Sequence, residues 1–137
     1  MDTERTLELA REFAEALHAV DGREEGAIER MVARFAPEAR LTNAALKLAH
    51  EERTGSVGAR AFWEQYQSSF REAHTEFFEL TSSERAAGLF WTTHGTDATG
   101  EPLSYDGVTL LVLDEQGLIT LFRGYYDTRE LTKRVSG

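Results

Sequence analysis

Four histidines, His18, His50, His74 and His94, are the side chains in this sequence that exchange protons near neutral pH. Cysteine is absent, which removes disulfides, thiolate metal sites and cysteine nucleophiles together. No histidine–carboxylate grouping has metal-ligand spacing, so no metal is expected. No Gly-x-Ser-x-Gly turn is present, which excludes the usual serine-hydrolase nucleophile. Gly55 and Gly58 alone do not make a phosphate-binding loop. What remains is acid/base or hydrogen-bond chemistry by histidine, hydroxyl and amide groups, with no cofactor. His94 sits inside a strand-like run and is the candidate base. His18 and His74 are placed near helix ends, where a cation is favoured, and His50 is placed where it could gate a pocket.

Elements must hold those groups. The 137 residues suit a single domain spanning 1–137. Lys and Arg total 15 against 24 Asp and Glu, giving a net charge of −9. Such a surface argues against nucleic acid or anionic lipid as partners. No apolar run is long enough for a membrane helix, and the charged first residues are unlike a secretion signal. The cytoplasm is the expected compartment.

Leu7, Ala10, Phe13, Ala14, Leu17 and Val20 recur at spacings of three and four, which predicts a first helix from about Asp2 to Ala19. Asp2 or Thr3 caps it and Asp21-Gly22 stops it. Ala27, Ile28, Met31, Val32 and Phe35 predict a second helix, ended by Pro37. Arg40–Asn43 reads as a strand entry, and Ala44 to Glu52 has helix-forming composition but also suits a long hairpin. A third helix follows Gly55, with Phe62, Trp63, Tyr66 and Phe70 along it. From about residue 75, Thr, aromatic and β-branched residues dominate. Strands are predicted at 75–81, 85–96, 103–113 and 118–127, with turns at Thr99–Pro102 and Asp114–Gly117. Three helices followed by a curved antiparallel sheet give an α+β fold.

That order, with Phe35-Ala36-Pro37-Glu38-Ala39, the Gly55-to-Phe62 helix start and Leu113-Asp114-Glu115-Gln116-Gly117-Leu118-Ile119, resembles the nuclear-transport-factor-2-like superfamily. Within it the chain is similar to SnoaL-like polyketide cyclases, limonene epoxide hydrolases and ketosteroid isomerases. The resemblance covers roughly Thr6 to Asp127. It implies a cone-shaped α+β barrel with a deep pocket and a homodimer through the outer sheet face. Matching the strands to the family, with alternation of side chains, puts Thr120, Phe122, Gly124 and Tyr126 toward the pocket. Tyr105, Thr109 and Leu111 join them from the neighbouring strand, and Phe90, Thr92, His94 and Thr96 from the one before. Leu41 and Asn43, with Phe62 and Trp63, complete the lining. Trp91, Leu121 and Tyr125 fall on the outer face.

The resemblance also marks departures. Ketosteroid isomerases carry a proton-shuttling carboxylate where this chain has Asn43, and a protonated acid where it has Thr109. The cyclases and epoxide hydrolases carry an aspartate at the position of Gly124. An amide cannot abstract a proton, so His94 is the catalytic base expected here, with Tyr105 and Thr109 as partners. Asn43, Phe62, Trp63, Phe90, Thr92, Phe122 and Tyr126 are the expected ligand-binding residues. Two functions stay open: a cofactor-independent isomerase, cyclase, dehydratase or hydrolase acting on a small apolar molecule, and a non-catalytic ligand-binding or partner-binding domain.

Overall fold

The computed structural model describes residues 1–128. Helix α1 spans Thr3–Asp21, and Asp2 caps it by accepting the Arg5 N–H at 2.7 Å. Helix α2 spans Ala27–Val32, strand β1 Phe35–Asn43, the short helix α3 Ala44–Leu48, and β2 Arg53–Thr54. Helix α4 spans Gly55–Ser68, followed by β3 Phe70–Ser82, β4 Ala86–Asp97, β5 Pro102–Leu113 and β6 Ile119–Tyr126. One six-stranded sheet runs in the order β2-β1-β6-β5-β4-β3. It is mostly antiparallel, but β1 and β6 pair in parallel. The architecture is the expected α+β arrangement, with the helices on one face of the sheet. α1 lies against β3 and β4, α4 lies against β1 and β2, and α2 touches both helices. Among the described residues, no helix is long and apolar enough to cross a membrane.

Three boundaries differ from the sequence expectation. Phe35 opens β1 rather than closing α2, and it pairs with Ile119 of β6. Pro37 lies within β1, where the pairing register shifts between Phe35 and Arg40. A proline, lacking an N–H, is tolerated at such an irregularity. Phe70 and His74 belong to β3 and not to the third long helix. That helix stops because the Ser68 and Ser69 hydroxyls donate back to the Gln65 carbonyl, at 3.0 and 2.8 Å. The ambiguous stretch after Asn43 resolves into one short helix and a two-residue strand.

The core forms where α1 and α4 meet β1 and β6. Phe122 of β6 is its hub, with ring centroids 5.1 Å from Phe62, 5.3 Å from Trp63, 6.0 Å from Phe13 and 6.4 Å from Phe35. Burying a large apolar side chain of this kind contributes roughly 1.5–3 kcal/mol. The cluster therefore clamps the helical layer to β1 and β6, and the chamber described below opens beside it.

Candidate functional site

Three rows of side chains cross the inner face of the sheet. Cross-strand partners share a face, so the pairing registers place them directly. The first row is Asn43, Gly124, Thr109 and Leu89. The second is Tyr126, Gly107, Trp91 and Phe77. The third is Tyr105, Thr93 and Thr75. Phe13 and Leu17 of α1, and Phe62, Trp63 and Tyr66 of α4, close over them around an inner chamber of about 70 Å³. Asn43, Phe62, Tyr66, Tyr105 and Tyr126 also line a wider space of about 460 Å³ whose other walls include Leu46, Ala49, Arg53 and Leu103. The two spaces share those five residues, so the wider one is the mouth of the narrower one. A larger open groove of about 890 Å³ runs past α3 and includes His50, but Arg40, Lys47, Glu51 and Glu52 line it, and it is a surface cleft.

The polar groups of the chamber are few and mostly committed. Asn43 accepts the Leu46 N–H through Oδ1 at 2.8 Å, capping α3. Its NH2 is then the group left for a ligand. The Trp91 indole N–H donates to Thr109 Oγ1 at 2.9 Å, so the Thr109 hydroxyl proton remains to be donated. Trp91 can lie over β5 only because residue 107 is glycine: a Cβ there would fall 2.4 Å from the indole ring. Its ring meets Tyr105 edge-on at 5.4 Å, and Tyr105 meets Tyr126 at 5.4 Å. Thr75 and Thr93 share a hydrogen bond of 2.8 Å between hydroxyls. The Trp63 indole N–H is buried and has no acceptor among the described residues.

Burial drives the ionisation of these groups. It pushes the Tyr105 hydroxyl well up, with the Tyr126 and Asp21 side chains adding to the effect. Tyr126 is likewise raised by burial, opposed by the backbone of Ala45. Both tyrosines are therefore neutral hydrogen-bond donors at physiological pH. Behind Tyr66 lies Asp21, whose carboxylate accepts the Tyr66 hydroxyl at 2.7 Å. Burial raises Asp21 from the ordinary aspartate value, against the opposing pull of the Tyr66 hydrogen bond, the nearby Thr75 and His18.

Asn43, Phe62, Trp63, Tyr105, Thr109, Phe122 and Tyr126 all line the chamber. Phe90, Thr92 and His94 do not. Their partners are Val108, Asp106 and Ser104, which puts the three on the outer face, while Trp91 and Thr93 turn inward. Half of the His94 side chain is exposed, its Nε2 lies 3.5 Å from Glu76 Oε1, and its ring stacks on His74 at 6.5 Å. His94 is therefore not a chamber base. The inward signal was Gly107: a glycine in the middle of a strand leaves room for a neighbour's large ring, and the Trp91 ring of β4 fills that space. Thr120 and Thr96 are not among the lining either; the Thr120 hydroxyl donates to the Val112 carbonyl, and Leu111 is packed in the core. His18 is a tether rather than a simple end-cap, with Nε2 3.0 Å from the Thr75 carbonyl. Asp21, Tyr66, Thr75 and Thr93 are the chamber-associated polar groups that sequence reasoning missed as site residues.

Comparison with known proteins agrees with this fold. A protein from Burkholderia pseudomallei, described as an NTF2-like protein of unknown function, is 18% identical, with a TM-score of 0.80 over 96% of this chain and 98% of that one. An NTF2-like protein of unknown function from Exiguobacterium is 15% identical, with a TM-score of 0.68 over 84% and 98%. A structure from Kribbella flavida titled "putative ketosteroid isomerase" is 22% identical, with a TM-score of 0.69 over 91% and 79%. These likenesses are of fold. No curated protein matches the chain. Residues 10–122 match the SnoaL-like domain, and the chain belongs to that family.

Proposed function

We propose that this protein binds a small, mainly apolar molecule carrying at least one oxygen, with its apolar body in the chamber and its oxygen among the donors at the mouth. The observation that carries this reading is the shared wall: five residues join an aromatic inner chamber to a solvent-reaching mouth, and three of them are tyrosines. Sites for small molecules have this build, apolar walls with a few convergent polar groups. Tyr105, Tyr126, the Asn43 NH2 and the Thr109 hydroxyl all offer protons, so the favoured ligand group is a carbonyl, ether or ionised hydroxyl. The row Asn43–Gly124–Thr109 contains no carboxylate. At these positions the chain offers hydrogen bonds and no base, which favours binding over the acid/base chemistry of the enzymes it resembles. Titration with acetophenone, followed by thermal shift, tests the proposal. A saturable rise in melting temperature supports it, and no shift at saturating ligand contradicts it.

The homodimer is proposed on a separate observation. Phe90, Val108 and Tyr125 form one row across the outer face, and the Phe78 ring approaches Phe90 at 6.5 Å. Phe78 is 66% exposed and Tyr125 41%. A continuous apolar row of this kind suits an isologous contact with a second copy. Phe90→Glu should shift the sedimentation equilibrium from dimer to monomer while leaving the circular dichroism spectrum intact. A wild-type monomer at tens of micromolar would refute the assignment.

A further inference from the structure

Asp21 stands where a carboxylate is hard to keep. It is the last residue of α1, at the negative end of the helix dipole. It is largely buried beneath Tyr66, and its second oxygen, Oδ2, has no hydrogen-bond partner among the described residues. The small space around it, about 10 Å³, is walled by Val20, Arg23, Tyr66, Gln67, Phe70 and Ala73. Arg23 does not neutralise it by a direct bond, because that guanidinium donates to the Gln67 and Phe70 carbonyls. A residue that costs stability in this way points to use rather than packing.

Resting on the binding reading above, we infer that Asp21 and Tyr66 form a two-group proton relay opening on the chamber. Among the described residues, Tyr66 is the side chain that donates a direct hydrogen bond to Asp21 and also lines both chamber and mouth. When Asp21 is protonated, its O–H donates to the Tyr66 oxygen, and the Tyr66 O–H is free to turn toward a ligand oxygen. If that oxygen develops negative charge, the Tyr66 proton moves to it and the Asp21 proton moves to Tyr66. The products are a neutral ligand hydroxyl, neutral Tyr66 and an Asp21 carboxylate, and the reverse path makes the pair a base. When Asp21 is ionised, Tyr66 donates to Asp21 instead and is withdrawn from the ligand. Neither residue lies at the strand positions Asn43, Thr109 or Gly124, so the relay supplies from α1 and α4 the proton exchange that the sheet lacks.

The groups facing Asp21 set its response to pH. His18 lies one turn back on α1, Thr75 faces it from β3, Tyr66 from α4, and Tyr105 from β5. Burial pushes Asp21 up, and the hydroxyls and His18 pull it down. It therefore holds its proton to higher pH than an exposed aspartate, and the relay changes state in that window.

The test uses the 2,4-dinitrophenolate ion, with affinity referred to the ionised probe at each pH and read from quenching of tryptophan fluorescence. Wild-type affinity should fall about tenfold as pH rises and Asp21 loses its proton, the size of one hydrogen bond to a charged group. Asp21→Asn keeps a donor toward Tyr66 at every pH, so its affinity should stay tight and flat. Tyr66→Phe removes the chamber end of the relay, so its affinity should stay weak and equally flat. A purely structural role would weaken both variants and leave the pH dependence in place, and that result overturns the relay. If acetophenone binds but the phenolate affinity of the wild type does not change with pH, the relay falls while the binding reading stands. If neither probe binds, both fall.

Discussion

Replacing Trp63 by alanine is expected to destabilise the fold by about 3–5 kcal/mol, the range for truncating a buried aromatic. Trp63 is 2% exposed, and its ring lies within 4.9–6.4 Å of Phe62, Phe122, Tyr66, Phe13 and Phe35. Those neighbours come from α1, α4, β1 and β6, so the layer cannot collapse into the gap by moving one element. Trp63→Phe should cost far less, because it keeps most of the ring and removes an indole N–H that has no acceptor among the described residues. Urea unfolding of the three proteins gives the comparison. The alanine variant should also gain stability from indole in the buffer, by filling the enlarged chamber. A loss below about 1 kcal/mol for the alanine variant would mean that the wall is not packed as described.

The second large effect concerns binding. Gly124 sits between Asn43 and Thr109 on the chamber floor. A Cβ there meets Asn43 Cβ at 3.5 Å and the Phe122 ring at 3.8 Å, which is ordinary contact. Gly124→Ala should therefore fold and bind nearly as the wild type does. Gly124→Leu sends three further carbons into a space of about 70 Å³. Its cost to stability should stay within about 1–3 kcal/mol, while affinity for acetophenone should drop by at least about tenfold, the result of losing about 1.4 kcal/mol or more of burial. Isothermal titration of the two variants checks this. Equal affinity in the leucine variant would place the ligand elsewhere.

The sequence carried the elements well and the faces less well. The apolar stripe of α1, its Asp2 cap and the Gly22 stop all stand, because each is local chemistry within a few residues. The end of α4 was missed because two serines close it where glycine or proline would have been the clear signal. The β1 start was missed because Phe35 continues the helical spacing of Ala27, Ile28, Met31 and Val32 yet lies in β1. In β4 the run Phe90-Trp91-Thr92-Thr93-His94 has an aromatic and a threonine at both parities, so alternation alone cannot orient it. The register does, through Gly107 opposite Trp91. Seven of the site residues expected from sequence reach the chamber, because β5, β6, β1 and α4 keep their predicted phase. Asp21 read as half of an Asp-Gly stop. Its burial depends on Tyr66, 45 residues away, and no local pattern announces such a pairing.

One optical property tests the central claim directly. The chain has two tryptophans, and both Trp63 and Trp91 line the inner chamber. Any ligand seated there must change the emission of both indoles, and a ligand bound on the outer face or in the α3 groove touches neither. Titrating the protein with acetophenone while exciting tryptophan should give saturable quenching in the wild type and in Gly124→Ala, with the midpoint moved at least about tenfold higher in Gly124→Leu. Quenching of the same size and midpoint in Gly124→Leu, or binding by calorimetry with unchanged emission, would contradict a ligand chamber between α4 and the sheet.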